Sequence, residues 1–272
     1  MFEKMFDQIS ETVPHAEKEY LGEDGLLHCC ECHRATQVVV EFLGITKTVR
    51  CVCDCVVKEL QAEEERKRQE ENNRKRRLCF AAKPKMMEWT FANDKRKNPK
   101  MSDSMQNYAD KFPEFLRNGK GMLLFGEVSR GKSYFAACIA NSLIDKGYSV
   151  IMRNFVQITN KLQDMFEGKQ EYIDSFNDFD LVIFDDLGAE RQTDYVQEIV
   201  FNIIDTRLGA GLPCIITTNL TAQEIKNPQD TMHQRIYERI LQMCYPMEVA
   251  GSSYRREELK ETHADMKAML GL

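Results

Sequence analysis

The chain has 272 residues, of which 43% are hydrophobic and 29% charged, and a formal net charge of −6. That length suits one large domain or two smaller ones, with enough apolar material for a packed core. The negative charge excludes a protein that coats nucleic acid through bulk positive charge, though not one with a local basic groove, and no apolar run is long enough to span a membrane.

The stretch MFEKMFDQISETVPHAEKEY is polar and acidic. It lacks the basic-then-apolar pattern of a secretory signal, which predicts a cytoplasmic protein with reduced thiols. Residues 1–56 are rich in cysteine: Cys29, Cys30, Cys32, Cys51, Cys53 and Cys55 all fall there. Reduced, clustered thiols read as metal ligands. Structural Zn²⁺ takes four thiolate or imidazole ligands in a tetrahedron, and a C-x-x-C turn supplies two. The expected set is Cys29 and Cys32 with two of Cys51, Cys53 and Cys55. Cys30, His28 and His33 are further candidates, and unligated core cysteines are the alternative. A short segment with few large apolar residues would gain its stability from such a staple.

Residues 57–78 (VKELQAEEERKRQEENNRKRRL) are almost wholly charged and contain no Gly or Pro. Opposite charges recur three and four apart, which predicts a solvated linking helix. Arg74 to Arg77, Lys83, Lys85, Lys95, Arg96, Lys97 and Lys100 interleave with Trp89 and Phe91. Such a pattern could hold single-stranded nucleic acid by phosphate contact and stacking. The preferred reading for Trp89 and Phe91 is a solvated linker whose aromatics pack on the following domain, and the basic residues stay open.

Residues 79–272 alternate strands with amphipathic helices. Strands are predicted at Gly121–Phe125, Tyr148–Met152, Leu181–Phe184 and Pro213–Thr217. Helices are predicted at Lys132–Asp145, Val156–Phe166 and Thr193–Leu208. Strands alternating with helices imply an α/β domain, a mostly parallel sheet covered on both faces, with ligands at the C-terminal strand ends.

Gly126-Glu127-Val128-Ser129-Arg130-Gly131-Lys132-Ser133 fits G-x-x-x-x-G-K-[ST] between such a strand and helix. Backbone N–H groups and the helix N-terminus would receive the phosphates of ATP or ADP, with Tyr134 opening the helix beside them. Lys132 would reach the β- and γ-phosphates, and the Ser133 hydroxyl would bind Mg²⁺. The next apolar strand ends in Asp185-Asp186. Asp185 there can hold Mg²⁺, and Asp186 can act as general base on the attacking water. The alternative is an acidic helix cap. The strand Cys214-Ile215-Ile216-Thr217-Thr218-Asn219 also runs from apolar to polar, so Asn219 could bond γ-phosphate and water, or merely shape a turn. Arg235 and Arg239 share a helical face, and Arg255 and Arg256 follow; arginine stabilises a transferring phosphoryl group, often from a neighbouring subunit. Spacing alone favours surface pairing for these arginines, for example Arg235 with Glu238.

With these motifs placed, residues 79–258 resemble the bacterial and phage helicase loaders of the DnaC/DnaI type, within the AAA+ ATPases. The resemblance is carried by GMLLFGEVSRGKSYFAACIANSLIDKGYSV, FDLVIFDDLGAERQTDYVQEIVFNIIDTRL, LPCIITTNLTAQEI and QRIYERILQMCYPMEVAGSSYRR. It implies an AAA+ P-loop ATPase that self-associates. In it Arg239 is the arginine finger for a neighbour's ATP, with Arg235 close by. Arg255 is the second sensor on the γ-phosphate, and Asn219 the first sensor. It further implies that the zinc module grips a DnaB-type replicative helicase, which is delivered to single-stranded DNA. Ser129 and Arg130 depart from the Gly-Thr usual in family loops, which bears on hydrolysis rate rather than binding. A transposition helper ATPase of the IstB type and a nucleotide-gated adaptor with negligible hydrolysis are the competing expectations.

Overall fold

The computed structural model describes residues 13–42, 44–81, 83–191, 193–251, 262–263, 266–267 and 269–271. Two compact units divide the chain, Met1–Glu71 and Asn72–Leu272.

In the first unit, β1 (Glu19–Leu21) and β2 (Leu27–Cys29) form one antiparallel pair, and β3 (Gln37–Phe42) and β4 (Ile45–Arg50) another. Its small buried core consists of Ala16, Cys29, Cys53 and Val56. So little buried apolar surface calls for a further staple. Helix α1 (Asp54–Cys79) then carries the charged stretch, starting a few residues earlier than its composition predicts. Lys67 pairs with Glu63 at 2.7 Å and Arg68 with Glu65 at 2.6 Å, one turn apart on a solvated surface.

The second unit opens with short 3₁₀ turns at Pro84–Glu88 and Phe91–Asn93, followed by α2 (Pro99–Asp110) and α3 (Phe112–Asn118). Then come β5 (Gly121–Phe125), α4 (Lys132–Asp145), β6 (Val150–Asn154), α5 (Phe155–Asp164), α6 (Lys169–Asp174) and β7 (Leu181–Leu187). Helix α7 (Asp194–Gly209), β8 (Cys214–Thr218), α8 (Ala222–Lys226), α9 (Thr231–Met243) and β9 (Cys244–Glu248) complete it. The five strands form one all-parallel sheet in the order β6-β7-β8-β5-β9.

The side chains show why this sheet is covered on both faces. Met122 and Leu124 of β5 and Leu181 and Ile183 of β7 join one apolar cluster with Phe135 and Ile139 of α4 and Met105 of α2. Their strand neighbours Leu123, Val182 and Phe184 join the other, with Phe155, Val200 and Ile240 of α5, α7 and α9. Successive strand residues point to opposite faces, so a continuous apolar run feeds two cores at once. Trp89 and Phe91 are packed against the first cluster. At the start of β5 a Cβ on Gly121 would stand 1.7 Å from the Cys214 carbonyl oxygen, so only glycine fits there.

Arg207 of α7 is 1% exposed. Its guanidinium donates to the carbonyls of Pro213, Phe176 and Asp180, joining the approaches to β7 and β8. Burial lowers its pKa to about 10, which still leaves it charged at neutral pH.

Several boundaries differ from expectation by one to three residues, and one strand was not foreseen. β6 starts at Val150 because Ser149 is tied to the Asp180 carboxylate and Tyr148 packs edge-on against Phe112. It extends to Asn154, whose side chain caps α5 by accepting from Val156 N at 2.8 Å. β9 escapes sequence reading because Pro246 argues against a strand, yet an edge strand needs donors on one side only.

Candidate nucleotide site and metal cluster

The loop between β5 and α4 bends through three positive φ angles, at Gly126 (133°), Ser129 (65°) and Gly131 (100°). At Gly126 a side chain is barred twice, by φ and by the Val249 carbonyl oxygen, which stands 3.0 Å from where a Cβ would sit. Ser129 takes the left-handed conformation without glycine's freedom, at a cost of about 1 kcal/mol. Ser129→Gly is therefore expected to stabilise the fold by about 0.5 kcal/mol, after part of the relief is offset by the freer unfolded chain, read as a raised denaturation midpoint. A lowered midpoint would mean that the serine hydroxyl contributes more than its backbone costs.

Lys132 is 5% exposed, and its ammonium donates to the Gly126 and Glu127 carbonyls, each at 2.8 Å. Arg130 is tied to the loop's own Glu127 carboxylate and to the carbonyl of Gly251.

A cleft of about 540 Å³ opens over this loop. Val128, Ser129, Gly131, Lys132, Ser133 and Tyr134 line one side. Asp186 and Asn219 line it from the ends of β7 and β8, and Trp89, Asn93, Lys95 and Lys97 from the segment before α2. Its size falls in the range of small-molecule sites. The Trp89 and Tyr134 rings lie 5.7 Å apart at this wall. Sequence reasoning grouped Trp89, Lys95 and Lys97 with nucleic-acid contacts or a linker; the structure brings them to the phosphate loop.

The two aspartates are separated by local backbone geometry. The β7–β8 register shifts between Phe184 and Leu187, and Asp186 has φ 59°. A bulge of this kind turns successive side chains out of strict alternation. Asp185, 1% exposed, accepts on Oδ1 from Ser133 Oγ at 2.7 Å and Thr217 Oγ1 at 2.8 Å. Its Oδ2 accepts from Lys83 Nζ at 2.9 Å. Asp186 lines the cleft and donates its backbone N–H to Thr217 Oγ1 at 2.9 Å. Asn154 Nδ2 lies 3.4 Å from its carboxylate. Ser133 and Asp185 together present hard oxygen donors of the kind Mg²⁺ prefers. Thr217 and Lys83 were not picked out by sequence as parts of this site. The polar end of β8 was the available signal for Thr217. Lys83 carried none, being one basic residue among several.

Arg235 and Arg239 do not line the cleft. Both lie on α9 against α7, where matched four-residue spacings pair them with Phe201 and Asp205. The Arg235 guanidinium sits 4.3 Å from the Phe201 ring centroid, and Arg239 Nε is 2.9 Å from Asp205 Oδ1. The expected Arg235–Glu238 pair is replaced by this stacking, and Glu238 instead accepts from Gln234, one full turn away. Arg255 and Arg256 lie outside the described residues.

In the first unit Cys29, Cys32, Cys53 and Cys55 come together, with their sulfurs all within 4.8 Å of one another. Tetrahedral Zn–S bonds of 2.3 Å set sulfurs about 3.8 Å apart, so the four thiols fit a structural zinc. Cys51 is outside the group and donates to the Ala35 carbonyl at 3.4 Å. Cys30 is exposed, and His28 faces Asp24 at 3.0 Å. The Arg34 backbone N–H beside Cys32 lowers its thiol pKa to about 7, whereas hydrogen bonding to Cys32 pushes Cys55 up to about 12.

Among the described residues no helix is long and apolar enough to cross a membrane. The family described as IstB-like ATP binding protein matches residues 37–262. The replicative helicase loader DnaI of Bacillus subtilis is 30% identical over 151 residues, covering 50% of this chain and 48% of DnaI. The replicative helicase loader DnaC of Escherichia coli K12 is 26% identical over 116 residues, covering 41% of this chain and 47% of DnaC. The chain thus spans about half the length of the curated relatives it matches. A crystal structure of DnaI superposes with a TM-score of 0.51 at 25% identity, covering 62% of this chain and 92% of that one.

Proposed function

This chain belongs to the family of IstB-like ATP-binding proteins, and from that premise we propose that it is an ATPase that loads a hexameric replicative helicase of the DnaB type onto single-stranded DNA. One observation carries the reading. Lys132, Ser133, Asp186 and Asn219 converge on one cleft, with the buried Asp185 bonded to Ser133, in a chain whose relatives are named replicative helicase loaders.

The residues divide the chemistry between them. Lys132 exchanges two loop carbonyls for the β- and γ-phosphates, while the loop amides and the N-terminus of α4 hold the remaining oxygens. Ser133 and Asp185 would hold Mg²⁺, which when bound would supply charge neutralisation at the phosphates. Asp186, facing the cleft, accepts the proton of the attacking water, and Asn219 orients that water against the γ-phosphate. Arg239 acts on ATP bound to an adjacent copy, with Asp205 restraining its guanidinium until the copies associate. Arg239→Ala is expected to lower turnover by about 10³-fold, the lower end of the range for an arginine finger, while leaving nucleotide affinity unchanged. Turnover at the wild-type rate would remove Arg239 from the reaction.

The zinc-bearing first unit is the part that grips the helicase in this reading. The test is co-purification of the intact chain with the cognate replicative helicase in ATP and in ADP. Retention in ATP and release in ADP supports loading. A second reading is favoured by the family's own description: an IstB-type helper would instead be retained on duplex DNA with a transposase and show no helicase capture.

A further inference from the structure

Asp185 is an almost fully buried carboxylate, and among the described residues the cation it pairs with is Lys83. Leaving such an anion unpaired would be costly, so Lys83 has an evident role as its partner. Its placement is unusual for a purely structural partner. The Lys83 side chain is 46% exposed while the Asp185 side chain is 2% exposed, so the ammonium approaches from solvent and can return there. The backbone holds it in reach: Lys83 N–H donates to the Phe80 carbonyl at 2.8 Å, and Pro84 opens a 3₁₀ turn immediately after. The other carboxylate oxygen is already occupied by Ser133 and Thr217 hydroxyls, so Lys83 sits on the oxygen that those hydroxyls leave open. The cavity beside this pair, bordered by Phe80, Arg153, Asn154 and Gln157, is about 20 Å³, room for about one water. An ammonium and a divalent cation held by the same carboxylate repel one another.

We infer that Lys83 is a built-in counter-ion for Asp185 that competes with Mg²⁺ and is displaced when metal and nucleotide bind. The inference rests on the assignment of the cleft as a nucleotide site. Lys83 thereby sets the metal concentration at which the site fills: low enough Mg²⁺ leaves the carboxylate paired internally, and the ion pair must open before the metal is held.

The test uses the full chain, with Lys83→Met and Lys83→Gln as two neutral replacements that keep most of the side-chain volume. Binding of a fluorescent ADP analogue is titrated with Mg²⁺ and repeated in EDTA, and thermal unfolding of nucleotide-free protein is followed with and without Mg²⁺. Both variants are expected to reach half-saturation at about two- to fivefold lower Mg²⁺, the size of effect of a partly exposed ion pair. Without metal they are expected to melt lower than wild type, and Mg²⁺ alone is expected to raise their melting temperature more than it raises that of the wild type. An unchanged Mg²⁺ requirement would overturn the inference. So would weaker nucleotide binding in EDTA, which would mean that Lys83 holds phosphate instead. If the wild type binds no nucleotide, the cleft assignment fails, and the Mg²⁺-only melting comparison still decides whether Lys83 and metal compete.

Discussion

Lys132→Ala is expected to lower ATP turnover by about 10²- to 10³-fold, in line with removal of one preorganised donor from a phosphoryl-transfer site. The ammonium is nearly buried and held by two loop carbonyls. Its removal therefore acts twice, leaving those carbonyls unbonded and depriving the phosphates of their point charge. The loop itself should keep its shape, because Gly126 and Gly131 and the start of α4 set its course independently of the side chain. Single-turnover kinetics with an ADP-binding assay separates the two roles. Hydrolysis by Lys132→Ala at the wild-type rate would show that the loop is not the catalytic phosphate site.

Cys53→Ser is expected to abolish zinc binding and unfold most of the first unit. Cys53 and Cys29 are its most buried cysteines and make up half of its small core. Structural zinc supplies roughly 10 kcal/mol of apparent folding free energy in small modules, far more than this core can replace. Metal content per chain should fall from about one to near zero, the count a single Cys₄ site holds. Protease cleavage should appear within residues 13–53, while nucleotide binding by the second unit should persist because the thiols lie in the other compact unit. Cys51→Ser makes the matched control: its thiol bonds Ala35 rather than joining the cluster, so zinc should be retained. Equal zinc loss from both variants would overturn the four-cysteine assignment.

Local chemistry reaches far into this chain. The phosphate loop has glycine at two of its three positive-φ positions, an apolar strand before it and a helix after it, and all of these are contiguous in sequence. The strand of Asp185 and Asp186 is legible for the same reason: a parallel strand buried on both faces must be a continuous apolar run, so the residues that end it are conspicuous. The charged helix announced itself through spacing alone, since its pairs are one turn apart.

What sequence left open depends on residues far apart along the chain. Cys51, Cys53 and Cys55 compete for the two places beside Cys29 and Cys32 in the sequence pattern, and only the folded first unit gathers Cys53 and Cys55 with them while turning Cys51 to Ala35. Arg235 and Arg239 looked like surface pairs within their own helix until the packing of α9 on α7 gave them Phe201 and Asp205. Lys83 was one basic residue in a run of them; it reaches Asp185 only because the parallel sheet returns β7 beside it. Composition, periodicity and contiguous motifs thus determined the α/β class and the phosphate loop, because their causes lie within a turn or a strand. The four-thiol cluster, the partner of the buried aspartate and the setting of the arginines were decided by tertiary structure, because each depends on side chains that only the completed fold brings within hydrogen-bond or van der Waals reach.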